Sequence, residues 1–336
     1  MSGARLPVLA LTAAAVVLAG CGHGPRARTS SPQPAVEVAY PFPYDAGDVA
    51  DRIAFAGLRR EGIAVHVREL GGVANVVVAL VRGDVQLASV PYATAIRAVD
   101  EGAHVRVVLG RNMASDFVLV ARPGIDSVAA LRGRRVVFDG TGLDGDTLVR
   151  VALARAALPS ADVKLSQLAE SSERAAALAA GRVDAAVLDE ADYERLSGLG
   201  VVVLARLSAI EPRSAASVWV VSQRWADEHP ALVGRIVRGL LDGYAYVYTA
   251  AGRRAWVVAA RRAVFRSDPT LAPQIYAFYR SLRFWPVRDR PVTRAEHRRA
   301  VRFWLDAHEL ARYVPFARVW DPSWWRGAAR APASTA

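Results

Sequence analysis

The apolar positions of this chain change rhythm from one short stretch to the next. From Val36 onward, brief runs rich in valine, alanine and leucine alternate with longer stretches in which apolar residues return every three or four positions. The first kind reads as buried strand and the second as amphipathic helix. One set predicts strands at Val36–Tyr40, Ala64–Leu70, Val85–Val90, Val105–Leu109 and Phe117–Ala121, with helices at Asp48–Glu61 and Tyr92–Glu101. Between its second and third strands Gly71-Gly72 opens a helix whose Val73, Val76, Val77 and Leu80 share one face.

A second set repeats the alternation. Its strands are Arg135–Phe138, Val163–Leu168, Val183–Leu188 and Val201–Leu207; its helices are Val128–Leu131, Asp144–Ala157, Ser172–Ala180 and Glu190–Leu199. Ser217–Ser222 reads as a strand returning to the first set. The remainder is mostly helical: Leu232, Val233, Ile236, Val237, Leu240, Leu241, Tyr244 and Val247 form one wide apolar stripe, and Thr293-Arg294-Ala295-Glu296 has the capping-box pattern. Alternation of this kind predicts an α/β protein of two lobes, each a mostly parallel sheet covered on both faces. The first lobe covers 36–121 and the second 122–212, while 213–336 returns to the first lobe and adds a helical C-terminal segment.

The first 35 residues follow neither rhythm. A charge at Arg5 precedes the apolar Val8–Leu18 and then small residues, the layout of a secretory signal peptide over 1–20. Leu18-Ala19-Gly20-Cys21 resembles the lipobox of bacterial lipoproteins, which implies that Cys21 is lipidated and becomes the mature N-terminus. Residues 21–35 are rich in Pro, Ser and Gly and read as a flexible tether. The expected location is extracytoplasmic, anchored to the cell membrane through Cys21.

Composition narrows the classes. Of 336 residues, 53% are apolar and 22% charged, which excludes a disordered chain, and a single cysteine excludes a disulfide scaffold. The net charge of +11 is concentrated late: 17 arginines face 6 acids from Ala250 to Ala336. Solvated helix faces account for such an excess, as does contact with a lipid surface or membrane partner; nucleic acid does not suit an exported lipoprotein.

The order of short motifs adds a family. Leu80-Val81-Arg82-Gly83-Asp84-Val85-Gln86-Leu87-Ala88, Arg122-Pro123-Gly124-Ile125, Ala179-Ala180-Gly181-Arg182-Val183-Asp184-Ala185-Ala186-Val187-Leu188-Asp189 and Trp320-Asp321-Pro322-Ser323 follow one another over residues 36–325. Together they resemble the substrate-binding proteins of ABC importers, in the branch of alkanesulfonate, nitrate and thiamine-pyrimidine binders. The resemblance implies a two-lobed, type II periplasmic-binding-protein-like fold and a monomer without cofactor. It also implies a small solute captured by hinge closure and delivered to an ABC permease. A lipoprotein that senses a ligand for a membrane signalling system and an exported enzyme are the alternatives. The cysteine-rich motif of the pyrimidine-synthase relatives is absent, which counts against an enzyme.

Ligands of open parallel sheets bind beyond the carboxyl ends of strands. The loops there offer Tyr40, Tyr44 and Asp45; Gly72 and Val73; Pro91 and Tyr92; Asn112; Thr141, Gly142 and Asp144; Asp189; and Ser217. The tyrosines suit either stacking on a flat ligand or packing between loop and sheet. The carboxylates suit either a cationic ligand or helix N-termini. Arg111 is the only basic residue on these rims, so the acidic rim favours a nitrogen heterocycle such as a pyrimidine over a sulfonate. Gly140-Thr141-Gly142-Leu143-Asp144-Gly145 fits a dinucleotide-binding pattern, yet Asp144 and Asp146 would repel a pyrophosphate there. The six histidines, read as surface or capping residues, show no metal-ligand spacing, and the tryptophans read as core packing.

Overall fold

The computed structural model describes residues 34–211 and 213–330. The signal peptide, Cys21 and the tether up to residue 33 lie outside the described residues. The order of elements is β1 (Ala35–Tyr40), α1 (Val49–Arg60), β2 (Ala64–Glu69), α2 (Val73–Arg82), β3 (Leu87–Pro91), α3 (Tyr92–Asp100) and β4 (Val105–Asn112). There follow β5 (Val118–Ala121), β6 (Arg135–Phe138), α4 (Asp144–Arg155), β7 (Lys164–Gln167), α5 (Ser171–Ala179), β8 (Ala185–Leu188), α6 (Glu190–Leu196), β9 (Val202–Arg206) and α7 (Leu207–Ile210). The chain continues with β10 (Ser217–Ser222), α8 (Gln223–Glu228), α9 (Pro230–Val247), α10 (Ala250–Ala263) and α11 (Leu271–Leu282). It ends with α12 (Arg294–Asp306), α13 (Phe316–Val319) and α14 (Pro322–Arg330).

Two five-stranded sheets result, in the orders β2-β1-β3-β10-β4 and β7-β6-β8-β5-β9. They share a plan. Four strands run in one direction, and a fifth, β10 or β5, inserts antiparallel between two of them. The inserted strand in each sheet is supplied directly after a crossover from the other. Residues 113–117 carry the chain from β4 to β5, and 207–216 carry it back from β9 to β10. The expected boundary at residue 121 is therefore corrected: Phe117–Ala121 reads like the strands before it, but Val118–Ala121 pairs with β8 and β9 in the second sheet.

Local chemistry explains the elements. α2 ends on Gly83 in the left-handed conformation, and the Asp84 N–H returns to the Ala79 carbonyl at 2.9 Å. The same closure ends α5, where Gly181 is left-handed and the Arg182 N–H meets the Ala177 carbonyl at 3.0 Å. Thr293 and Glu296 form the capping box of α12. Along β10, Trp219 and Val221 enter one core and Val218 and Val220 another, so both faces of the first sheet are covered. β8 splits in the same way, with Ala185 and Val187 on one side and Ala186 and Leu188 on the other. The predicted stripe of α9 is buried from Val233 to Val247 against α1. Gly239 and Gly243 permit that approach: a Cβ on either would lie 2.3 Å from Leu58 Cδ2 or 2.4 Å from the Ala54 Cβ.

Candidate functional site

The loops beyond β1, β4, β6, β7 and β8 converge on one hollow of about 310 Å³ between the sheets. Its first-lobe wall includes Tyr44, Asp45 and Asn112; its second-lobe wall includes Asp139, Arg174 and Asp189. The crossover contributes Asp116 and Phe117, and the connections after α10 and α11 contribute Val264 and Phe284. A separate hollow of about 370 Å³ near Met113, Arg283 and Trp285 lies against the crossovers and C-terminal segment.

Six carboxylates line the main cleft, and three of them, Asp45, Asp116 and Asp189, reach it from three different segments. Asp45 Oδ1 accepts the Asp48 N–H at 3.2 Å. Asp116 Oδ2 accepts the Tyr279 hydroxyl at 2.8 Å, while Tyr279 stacks on Phe284 with centroids 4.1 Å apart. Asp189 Oδ1 caps α6 by accepting the Asp192 N–H at 2.7 Å. None of the three forms an ion pair among the described residues. Enclosure by the cleft walls, reinforced by Asp48, pushes Asp45 up to about 7. Enclosure and the charge of Asp45 push Asp116 up to about 6. Asp189 is raised by enclosure and by Asp192, Asp116 and Asp45.

The basic groups nearby are already committed. Arg111 is buried, with Nε 2.6 Å from Asp51 Oδ2 and a second contact to Asp48. Asp51 also accepts the Tyr40 hydroxyl at 2.9 Å and the Tyr244 hydroxyl at 2.5 Å. Arg174 is 1% exposed. Its Nη1 donates to the Leu168 and Ala169 carbonyls and its Nε to the Val187 carbonyl.

Residues 58–251 match the family described as NMT1/THI5 like. The chain belongs to the NMT1/THI5-like family. No curated protein matches it in sequence. Solved structures share its fold at low identity. The ligand-binding component of an ABC-type import system from Staphylococcus aureus, with zinc bound, is 13% identical over 89% of this chain and 100% of its own, with a TM-score of 0.70. The periplasmic aliphatic sulphonate binding protein SsuA from Escherichia coli is 20% identical over 87% of this chain and 99% of its own, with a TM-score of 0.64. The desulfurization enzyme DSZB is 18% identical over 88% and 98%, with a TM-score of 0.60. These likenesses establish the periplasmic-binding-protein-like fold.

In this NMT1/THI5-like cleft, Tyr44, Asp45, Asn112 and Asp189 are brought together. Other rim expectations are corrected. Tyr92 is fully buried: the Trp320 indole N–H donates to its oxygen, its hydroxyl reaches His297 Nδ1, and His297 Nε2 donates to the Val314 carbonyl at 2.8 Å. The C-terminal helices cover the end of β3, so Tyr92 is core, and His297, 0% exposed, is no surface histidine. Pro91 precedes α3 beside β10 and lies outside the cleft lining, as does Ser217, whose Oγ accepts the Asn112 N–H at 3.2 Å. Tyr40 packs edge-on against Trp219 and serves the Asp51 network. The Gly72 N–H is taken by the Pro41 carbonyl at 2.7 Å, and the Val73 side chain enters the core, so neither faces the cleft.

The glycine-rich loop also turns inward. Asp139 accepts the Gly140 and Gly145 N–H groups at 2.9 and 3.2 Å, and Asp146 accepts that of Gly142 at 2.9 Å. The N–H groups a pyrophosphate would need are thus occupied by carboxylates. Thr141 holds Gln167 at 2.8 Å, and Gly142 receives Arg97 from the first lobe at 3.4 Å. Asp144 lies outside the cleft lining and is pushed up to about 8 by burial and by Asp139, Glu309 and Asp116. Sequence reasoning missed Asp116, Arg174 and Phe284. Arg174 left a trace, an arginine on the Ala-rich buried face of α5; Asp116 and Phe284 sit in connections without periodicity.

Proposed function

We propose that this protein is the extracytoplasmic solute-binding component of an ABC importer, held to the membrane by lipidated Cys21. It captures a small organic solute between its lobes and delivers it to a permease. The observation that carries this reading is the cleft itself, a solute-sized hollow walled by strand-end loops of both sheets, whose chains connect only through 113–117 and 207–216. Two sheets joined in this way suit hinge closure. The named structural neighbours from Staphylococcus aureus and Escherichia coli carry binding descriptions, which supports the same role. The lining holds no histidine, cysteine or lysine, which favours capture over turnover.

A nitrogen heterocycle such as a thiamine pyrimidine precursor suits the cleft better than an alkanesulfonate. Arg111 is neutralised by Asp48 and Asp51, and of the arginines that line the cleft Arg195 pairs with Asp192 while Arg174 donates to three backbone carbonyls. Small-angle scattering of the mature protein tests closure. The radius of gyration should fall on saturation with solute, and a radius unmoved by a solute that calorimetry shows to be bound overturns hinge capture. Cys21→Ser should move the protein from the membrane fraction to the soluble one or leave it unprocessed.

A further inference from the structure

The basic excess of the C-terminal segment is unevenly placed. In parts of that segment arginines meet carboxylates: Arg288 pairs with Asp242, Arg290 with Glu296 and Arg312 with Asp100. α10 departs from that pattern. Residues 250–266 hold five arginines and no acidic residue. Arg253, Arg254, Arg261 and Arg262 are all exposed, and none forms an ion pair among the described residues.

The groups that steady these arginines are neutral. Arg253 lies over the Tyr276 ring, 5.9 Å from its centroid. Arg261 Nε donates to the Pro269 carbonyl at 3.0 Å, and Arg280 Nη1, from α11, donates to the Tyr248 carbonyl at 3.3 Å. With Arg254 they line an open hollow of about 630 Å³ between α10 and α11, floored by Val257, Val258 and Pro273. No carboxylate lines it. Four like charges around one hollow repel each other, and an external anion relieves that repulsion.

Spacing along α10 indicates the kind of anion. The helix buries Gly252, Trp256 and Ala260, which leaves Arg254, Val258 and Arg261 together on the outer face. Arg254 and Arg261 are seven residues apart, about 10 Å along the axis. That separation suits two neighbouring phosphates better than one, and guanidinium forks match phosphate oxygens in pairs. Val258 stands between the two cations and is 46% exposed. A dissolved phosphate offers a valine no apolar contact, whereas a lipid surface sets phosphates side by side above hydrocarbon. We infer that the α10–α11 face docks on an anionic phospholipid surface. Arg253, Arg254, Arg261 and Arg280 hold headgroup phosphates, and Val258 enters the boundary beneath them. This docking is independent of what the cleft binds.

The test uses the chain from residue 21 onward with Cys21→Ser, which has no acyl anchor. It is sedimented with vesicles of phosphatidylcholine alone or with phosphatidylglycerol added. The protein should pellet with the anionic vesicles at about 0.05 M salt, be released at about 0.5 M, and ignore the neutral vesicles. Arg254→Gln with Arg261→Gln should weaken the partition at least about tenfold. Arg254→Lys with Arg261→Lys keeps the charge and should stay within about threefold of the parent. Val258→Ser should weaken the partition about threefold, through its lost apolar burial. Arg298→Gln with Arg299→Gln takes the same charge from α12 and should change the partition less than about twofold. Failure to bind anionic vesicles at low salt overturns the inference. Equal losses from the α10 and α12 glutamine variants also overturn it, since they mean attraction by net charge alone. Release by millimolar inorganic phosphate at constant ionic strength means a site for the free ion, and overturns it as well.

Discussion

Arg111 Nε lies 2.6 Å from Asp51 Oδ2, and this contact sits in the first-lobe core, where Tyr40, Tyr244 and Trp219 close around it. Trp219 donates to the Tyr244 hydroxyl at 2.8 Å, and Tyr244 donates to Asp51, so the carboxylate is the centre of a chain that ties β1, β4, α1, α9 and β10 together. Arg111→Leu leaves Asp48 and Asp51 buried without their cation. Breaking a buried pair from one side costs about 3–5 kcal/mol. Urea unfolding should show a loss of that order, whereas an arginine kept for an anionic solute would leave stability nearly unchanged on removal.

Tyr92→Phe tests the placement of Tyr92 in the core. The substitution strips a hydroxyl that joins the Trp320 indole to His297, both buried. Leaving such groups without partners costs about 1–3 kcal/mol. Denaturant titration should find that loss while calorimetry finds solute affinity unchanged; a weakened affinity at full stability would return Tyr92 to the cleft.

The cleft carboxylates set a pH dependence. Asp45 titrates at about 7 and Asp116 at about 6, both raised by enclosure and by like charge, against a usual 3.8. A raised carboxylate favours the folded state while protonated, and that contribution is lost as pH climbs through the folded value. Asp45→Asn should therefore melt higher than the parent at pH 8 and together with it near pH 4. Solute binding should run the other way, with the parent losing affinity as pH falls from 8 to 5. Thermal melts and calorimetry across that range check both signs.

Gly243→Val should break the seat of α9 on α1. Even a Cβ there would lie 2.5 Å from the Ala54 Cα, a backbone atom that cannot swing aside. Overpacking of this kind costs about 1–3 kcal/mol. A lowered denaturation midpoint is expected, and an unchanged one would show that the two helices can separate freely.

The alternating rhythm made the layers legible because strands buried on both faces leave continuous apolar runs, and α9 was plain because one stripe faces one partner. The lobe boundary was not, since Val118–Ala121 is as apolar as any strand before it and only pairing reveals its sheet. Among the rim residues, Tyr44, Asp45, Asn112 and Asp189 were read from their position after strands, and they line the cleft. Tyr92 occupies an equivalent position after β3, but the late tryptophans Trp304 and Trp320 pack on it from more than two hundred residues away. Spacing carries no trace of such distant cover. Asp116 escaped notice for the opposite reason: a crossover has no period to mark its residues.

The insertion of β10 between β3 and β4 bears on how the chain is made. Everything the second sheet needs, from Val118 to Arg206, is contiguous, so that lobe can complete its hydrogen bonding as soon as its last strand leaves the ribosome. The first lobe begins earlier and finishes later. β3 and β4 have no mutual pairing and wait, with open edges, until Ser217–Ser222 arrives to join them. The half begun first is thus the half most in need of shelter during synthesis and export.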